Sequence, residues 1–217
     1  MEIASFIGID LSSSSARRTA CVELEQQLRL AWFDFLYNDA QIIEAIERYR
    51  PRLVAIDAPI SLPRGLCCLD ESCPCQPLSP LKGRICEREL SRLGIPSYYT
   101  TKRSIIKMMV SRAIGLKDEI TVRGYEIIEV YPYATKVALF GRSIPPKTTA
   151  AGIAFLRDGL AQLIPDLVPH LPRFNHDLCD ALLAAYTAYA YTKGEVESIG
   201  DPEEGVIIIP APLTHYH

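Results

Sequence analysis

The sequence predicts an α/β protein: a five-stranded mixed sheet flanked by helices, with a Cys/Pro-rich and partly helical insertion after the fourth strand. Three observations predict it. Two short apolar runs, Phe6-Ile7-Gly8-Ile9-Asp10 and Leu53-Val54-Ala55-Ile56-Asp57, each end abruptly in an aspartate. Runs that are apolar on both faces read as buried strands of a largely parallel sheet. Near the start, three strand-like segments follow one another with only short polar turns between them. Beyond residue 130, helical spacing with recognisable caps takes over. With 217 residues, 48% of them apolar, the chain has enough material for one domain with a full core.

In chain order, residues 3–9, 19–24 and 28–36 read as the three strands, turning at Arg17-Arg18 and Glu25-Gln26-Gln27. The third is rich in aromatic and aliphatic side chains, as strands are. A helix is expected from about Asp39 to Arg50, because Ile42, Ile43 and Ile46 fall at helical spacing and Pro51 stops it. Residues 53–56 form the fourth strand. Prolines 59, 63, 74, 77 and 80 make 58–83 a loop. Helices are expected over 84–94 and 102–116, each closing at a glycine. The stretch 58–125 therefore reads as an insertion covering the strand ends. Residues 125–131 form the fifth strand, closed by Pro132. A short helix over 133–139, a longer one over 148–163 and a strong one over 176–193 follow. For the last, Asn175 is the expected N-cap and Gly194 the C′ residue. Its alanines at 181, 184, 185 and 188 would let it lie close to the sheet. Residues 205–210 read as a late edge strand.

Composition narrows the function. A net charge of −3 gives no global reason to expect nucleic-acid binding. The N-terminus enters a strand almost at once, without a basic leader or a long apolar run. No membrane span and a cytoplasmic location are the expectation.

The chemistry lies in the acids. In open α/β sheets the ligand crevice lies outside the carboxyl ends of the strands. Asp10, Asp57 and Glu129 each stand at such an end. Asp177 and Asp180, three apart, share one face in the first turn of the last long helix. First-turn acids also occur simply because they suit the helix dipole. Gathered together, however, carboxylates repel and raise one another's pKa unless a cation is present. Hard divalent ions, Mg²⁺ or Mn²⁺, suit such oxygen ligands. Two of them about 4 Å apart can stabilise the attacking and leaving oxygens of a phosphoryl displacement.

The element order resembles the ribonuclease H-like fold. The Asp ending the first strand, the acid ending the fourth and the Asp-x-x-Asp opening a late helix, with His176 before it, are similar to the Holliday-junction resolvases of that fold. Ile56-Asp57-Ala58-Pro59, Arg84-Ile85-Cys86-Glu87-Arg88-Glu89-Leu90, Glu129-Val130-Tyr131-Pro132 and His176-Asp177-Leu178-Cys179-Asp180-Ala181 resemble a family of predicted nucleases, a domain of unknown function with this fold. This resemblance spans about Gly8 to Pro210. It implies a Mg²⁺/Mn²⁺-dependent nuclease acting on DNA or RNA. Asp10 and Asp57 would be metal ligands, with Asp177 third, Asp180 a close alternative and Glu129 a further candidate. Position 57 is Asp where the resolvases have Glu, and the shorter arm changes the metal spacing. Two other readings stay open. One is a non-catalytic nucleic-acid-binding or scaffold protein of the same fold. The other is an ATPase or phosphotransferase, since a strand, an Asp and the Ser12–Ser15 run also resemble the first phosphate loop of the actin-like superfamily. That superfamily needs a second lobe and a late Gly-Gly motif, which this chain lacks.

Residues 82–112 hold eight basic residues against Glu87 and Glu89, with Tyr98 and Tyr99 among them. Basic charge attracts phosphates and aromatics stack on bases. Arg88, Arg92, Lys102, Arg103 and Lys107 are the expected nucleic-acid contacts; a solvated helical face is the plain alternative. A homodimer is left open. Of seven cysteines, Cys67, Cys68, Cys73, Cys75 and Cys86 fall within 20 residues. They supply enough thiolates for a structural Zn²⁺ site. Disulfides, free thiols and an iron–sulfur cluster remain alternatives.

Overall fold

A computed structural model describes residues 4–14, 16–146 and 149–211. Ser15, Thr148, His215 and His217 lie outside the described residues, as does the first residue of the expected opening strand. Strands β1 (Ser5–Asp10), β2 (Thr19–Glu25), β3 (Leu30–Leu36), β4 (Leu53–Ile56) and β5 (Ile127–Glu129) form one sheet in the order β3-β2-β1-β4-β5. β2 runs antiparallel to β1 and β3, whereas β4 and β5 run parallel to β1. The expected five-stranded mixed sheet is what the chain forms.

Helix α1 (Asp39–Tyr49) begins where Asn38 accepts the Gln41 backbone N–H at 2.9 Å. It ends at Arg50, which takes the left-handed conformation with φ 47°. α1 buries Ile42, Ile43 and Ile46 against Ile7, Ile9, Val54 and Ile56. Helices α2 (Ile85–Arg92) and α3 (Lys107–Val122) follow the long loop. α3 starts five residues later than its periodicity suggested and passes straight through Gly115. That glycine faces open solvent, so the helix tolerates it at a cost of about 1 kcal/mol. Ala113, Leu116 and Ile120 pack on the same face as α1, so this half of the insertion is core rather than cover.

The opposite face carries α4 (Pro132–Phe140), α5 (Ala150–Leu163) and α6 (His176–Lys193), with a 3-10 helix over Pro165–Arg173 that the sequence reading missed. α6 is nearly all buried and rests on β1. The contact is closest at Gly8: a Cβ built there would stand 2.0 Å from the Ala181 carbonyl oxygen and 2.3 Å from the Ala185 nitrogen. The expected edge strand, β7 (Gly205–Pro210), instead pairs antiparallel with an unforeseen β6 (Val196–Asp201) in a separate hairpin. A parallel bridge from Val130 to Ile208 lays that hairpin against β5.

Register decides which acids can meet. Ile9 pairs with Ile56, and Ile56 pairs with Glu129. Residues in one row share a face, and successive residues alternate. Ile9, Ile56 and Glu129 therefore face α1 and α3. By the same alternation Asp10, one step further on, faces α6, as Phe6, Leu53 and Ala55 do, and Asp57 follows directly on the end of β4.

Candidate functional site

The Asp57 backbone N–H donates to the Ile9 carbonyl at 2.8 Å, which fixes the ends of β1 and β4 side by side. Asp10 and Asp177 line one open cleft of about 430 Å³, with Ser12, Ser13, Arg17 and Arg18. Asp177 reaches it because Asn175 caps α6, accepting the Leu178 N–H at 3.0 Å. The Asn175 amide donates to Asp177 Oδ2 at 3.1 Å, and His176 Nδ1 lies 2.9 Å from Oδ1. Arg17 and Arg18 had been read only as a turn. They are basic side chains in the cleft wall beside this pair of acids, and their signal in the sequence was their place in the turn that follows Asp10.

The charges of Asp57 and Asp180 both act on Tyr131. Burial pushes the Tyr131 phenol well above its usual range, and the Asp57 charge, Tyr133 and the Asp180 charge add to the effect. Tyr131 donates to the Pro96 carbonyl at 2.6 Å. Asp180 forms a buried ion pair with Lys136, whose side chain is 3% exposed. A hydrogen bond of 3.1 Å between Thr135 and Thr187 holds α4 on α6 beside this pair. Asp180 is thus a partner of a lysine, which the sequence reading did not foresee. Nothing in the spacing of Lys136 and Asp180 marks them as neighbours.

Glu129 is a correction. It lines one small cavity with Asp57, but its carboxylate is already taken up by Arg84. Both its oxygens accept from Arg84, at 2.6 and 2.7 Å, and Oε2 also accepts the Ile60 N–H at 3.0 Å. Arg84 Nε donates to Glu87 at 2.9 Å, and Glu87 in turn accepts the Thr100 N–H at 2.8 Å. Arg84 is fully buried. The phrase Arg84-x-x-Glu87 is thus one half of an internal charge network.

Much of the basic segment is tied to other parts of the chain, although Arg103 keeps its side chain 88% exposed. Arg112 bonds Asp39 and both the carbonyl and the hydroxyl of Ser12. Ser12 also bonds Thr19, so it is the braced corner of a turn rather than a free phosphate donor. Arg88 donates to the Gly83 carbonyl at 2.6 Å, and Lys102 to the Cys73 carbonyl at 2.5 Å. Arg103 and Lys107 flank Glu71 at 3.2 and 3.7 Å. Arg92 is exposed.

Cys67, Cys68, Cys73 and Cys75 bring their sulfurs within 4.8 Å of one another. Cys67 and Cys73 stand 3.6 Å apart. Cys86 is the second correction: it is buried with Leu90, Ile95, Ala134, Ile207 and Ile209, away from that group. Its Cβ packs where a side chain on Gly200 would stand.

The strand order and directions are those of a ribonuclease H-like fold. The chain belongs to the family described as "Protein of unknown function (DUF429)", which matches residues 8–205. It is also similar to a chain described as Thermus thermophilus RuvC structure, at 15% identity and a TM-score of 0.46. That match covers 88% of this chain and 96% of the other. No curated protein matches it. Among the described residues, no helix is long and apolar enough to cross a membrane.

Proposed function

We propose that the protein is a divalent-metal-dependent phosphodiesterase acting on nucleic acid, with Asp10, Asp57 and Asp177 as the metal-holding set. The observation that carries this reading is that Asp10 and Asp57 stand at adjacent strand ends, with Asp177 lining the same cleft as Asp10. Hard oxygen donors at a partly open position fit Mg²⁺ or Mn²⁺. The fit needs side-chain rotation, because among the described residues only the four thiols gather as a group within 4.8 Å. Asp177 would turn from Asn175 and His176 toward the ion. When bound, the ion would lower the pKa of a bound water and offset charge on the scissile phosphate.

The chain's own residues do the remaining work. Arg17 and Arg18 would hold the phosphate backbone in the cleft, with the exposed Arg92 as a more distant contact. Lys136, paired with Asp180, supplies a fixed positive charge where a fourth carboxylate would otherwise draw a second cation. One ion per chain is therefore the expected stoichiometry. Calorimetric titration of Mn²⁺ into the wild type should give one site, and into Lys136→Met two. A wild-type value of zero would end the proposal.

Asp10→Asn is expected to lower cleavage by about 10²–10³-fold, the scale seen when a preorganised electrostatic contact to a transition state is removed. Circular dichroism should show the variant folded, so that the loss is one of chemistry. The assay presents branched, double-stranded and single-stranded DNA and RNA with Mn²⁺. A variant that cuts at the wild-type rate overturns the mechanism. A protein that binds these substrates and the ion without cutting any of them is the scaffold reading.

A further inference from the structure

We propose that Cys67, Cys68, Cys73 and Cys75 form a tetrahedral four-thiolate Zn²⁺ site that clamps the 64–78 loop to the segment leading into α3. This reading is independent of the carboxylate site. Zinc–sulfur bonds of about 2.3 Å set the sulfurs of a tetrahedron about 3.8 Å apart. The 3.6 Å between Cys67 and Cys73 is close to that edge, and all four sulfurs fall within 4.8 Å. A disulfide needs its sulfurs at about 2.05 Å, and all four cysteines are free thiols. Four thiols and no oxygen or imidazole donor select a soft or borderline ion over Mg²⁺ or Ca²⁺.

The loop has a reason to need such a pin. It contains no helix or strand between Ile56 and Ile85, and its only buried apolar side chain between residues 64 and 78 is Leu69. Its backbone closes on itself where the Leu78 N–H meets the Arg64 carbonyl at 2.8 Å. One flank is tied to the β6–β7 hairpin, where the Arg64 N–H donates to Glu204 at 3.0 Å. The other is tied to the segment before α3. Lys102 bonds the carbonyl of Cys73, itself one of the four, while Arg103 and Lys107 meet Glu71 between them. Fixing the four sulfurs would fix both attachments. Each thiol gives up its proton on binding, so the protons are released to solvent.

The test uses the full chain, reduced and stripped with chelator, and Zn²⁺ alone as the probe. One equivalent should bind, and Co²⁺ in its place should give the visible spectrum of a tetrahedral thiolate centre. Cys67→Ser/Cys73→Ser should abolish both signals, while Cys86→Ser should retain them. At a free Zn²⁺ concentration of about 100 times the Kd, amide exchange in 64–78 and 102–107 should slow by up to about 100-fold, with β1 and α6 unchanged. The proposal is overturned if the reduced chain takes up no Zn²⁺, if the double variant binds it as well as wild type, or if binding leaves exchange in both segments unaltered. A thiol count below seven in the freshly isolated, unreduced chain, taken after denaturation in chelator, would show a disulfide in its place and overturn the proposal.

Discussion

Arg84→Met is expected to cost about 3–5 kcal/mol of stability, the usual price of removing one partner from a buried ion pair. Glu129 would be left 4% exposed with its bidentate donor gone, and Glu87 would lose the Nε contact as well. The remaining donors to Glu129, such as the Ile60 N–H, are too few to solvate a full charge. In a chain of this length the loss corresponds to a fall in Tm of about 10 °C, since about 1 kcal/mol moves Tm by 2–4 °C. Urea unfolding monitored by circular dichroism measures it. Adding Glu129→Gln to the same chain should recover part of the loss. A single variant within about 1 kcal/mol of wild type would mean that the pair is not buried as described. Glu129→Gln alone should also destabilise, because Arg84 is then left buried without its full carboxylate partner.

Gly8→Ala is expected to be comparably severe, at about 3 kcal/mol or more, for a different reason. Overpacking a close-packed contact typically costs 1–3 kcal/mol when side chains can shift. Here the colliding atoms are the backbone of α6, at 2.0 and 2.3 Å, so the helix itself must move. Because Asp177 and Asp180 open that helix, the shift would also carry them away from Asp10. If the variant folds, it should bind Mn²⁺ more weakly than wild type, which calorimetry would detect. Unchanged stability and unchanged metal affinity together would contradict the close seat of α6 on β1.

These two variants show where the sequence was readable and where it was not. Local signals were reliable: apolar runs ending in Asp10 and Asp57 gave β1 and β4, and Asn175 with Gly194 framed α6. Pairing between distant residues was not. The polar Val196-Glu197-Ser198-Ile199-Gly200-Asp201 run has no apolar alternation to announce β6, so β7 looked like an edge strand of the main sheet. Gly115 read as a helix stop because an exposed glycine inside a helix leaves the same mark as one at its end. Glu129 looked equivalent to Asp10 and Asp57 because each stands at a strand end. The register leaves it one residue short of them, and Arg84 already answers its charge. Likewise a count of basic residues cannot tell Arg92, which faces solvent, from Arg84 and Arg112, whose charges are already answered by Glu129, Glu87 and Asp39.

The two rims of the sheet are not alike. The β5 side is shielded by the β6–β7 hairpin, whereas β3 pairs, among the described residues, with β2 alone. The outer amides of β3 are a template on which a stray chain can add a strand, and Trp32, Phe33 and Phe35 would favour it. Asp34, exposed in the middle of that strand, is the charge that opposes such stacking. Self-association during concentration would therefore start along this rim, and a neutral residue at position 34 would hasten it.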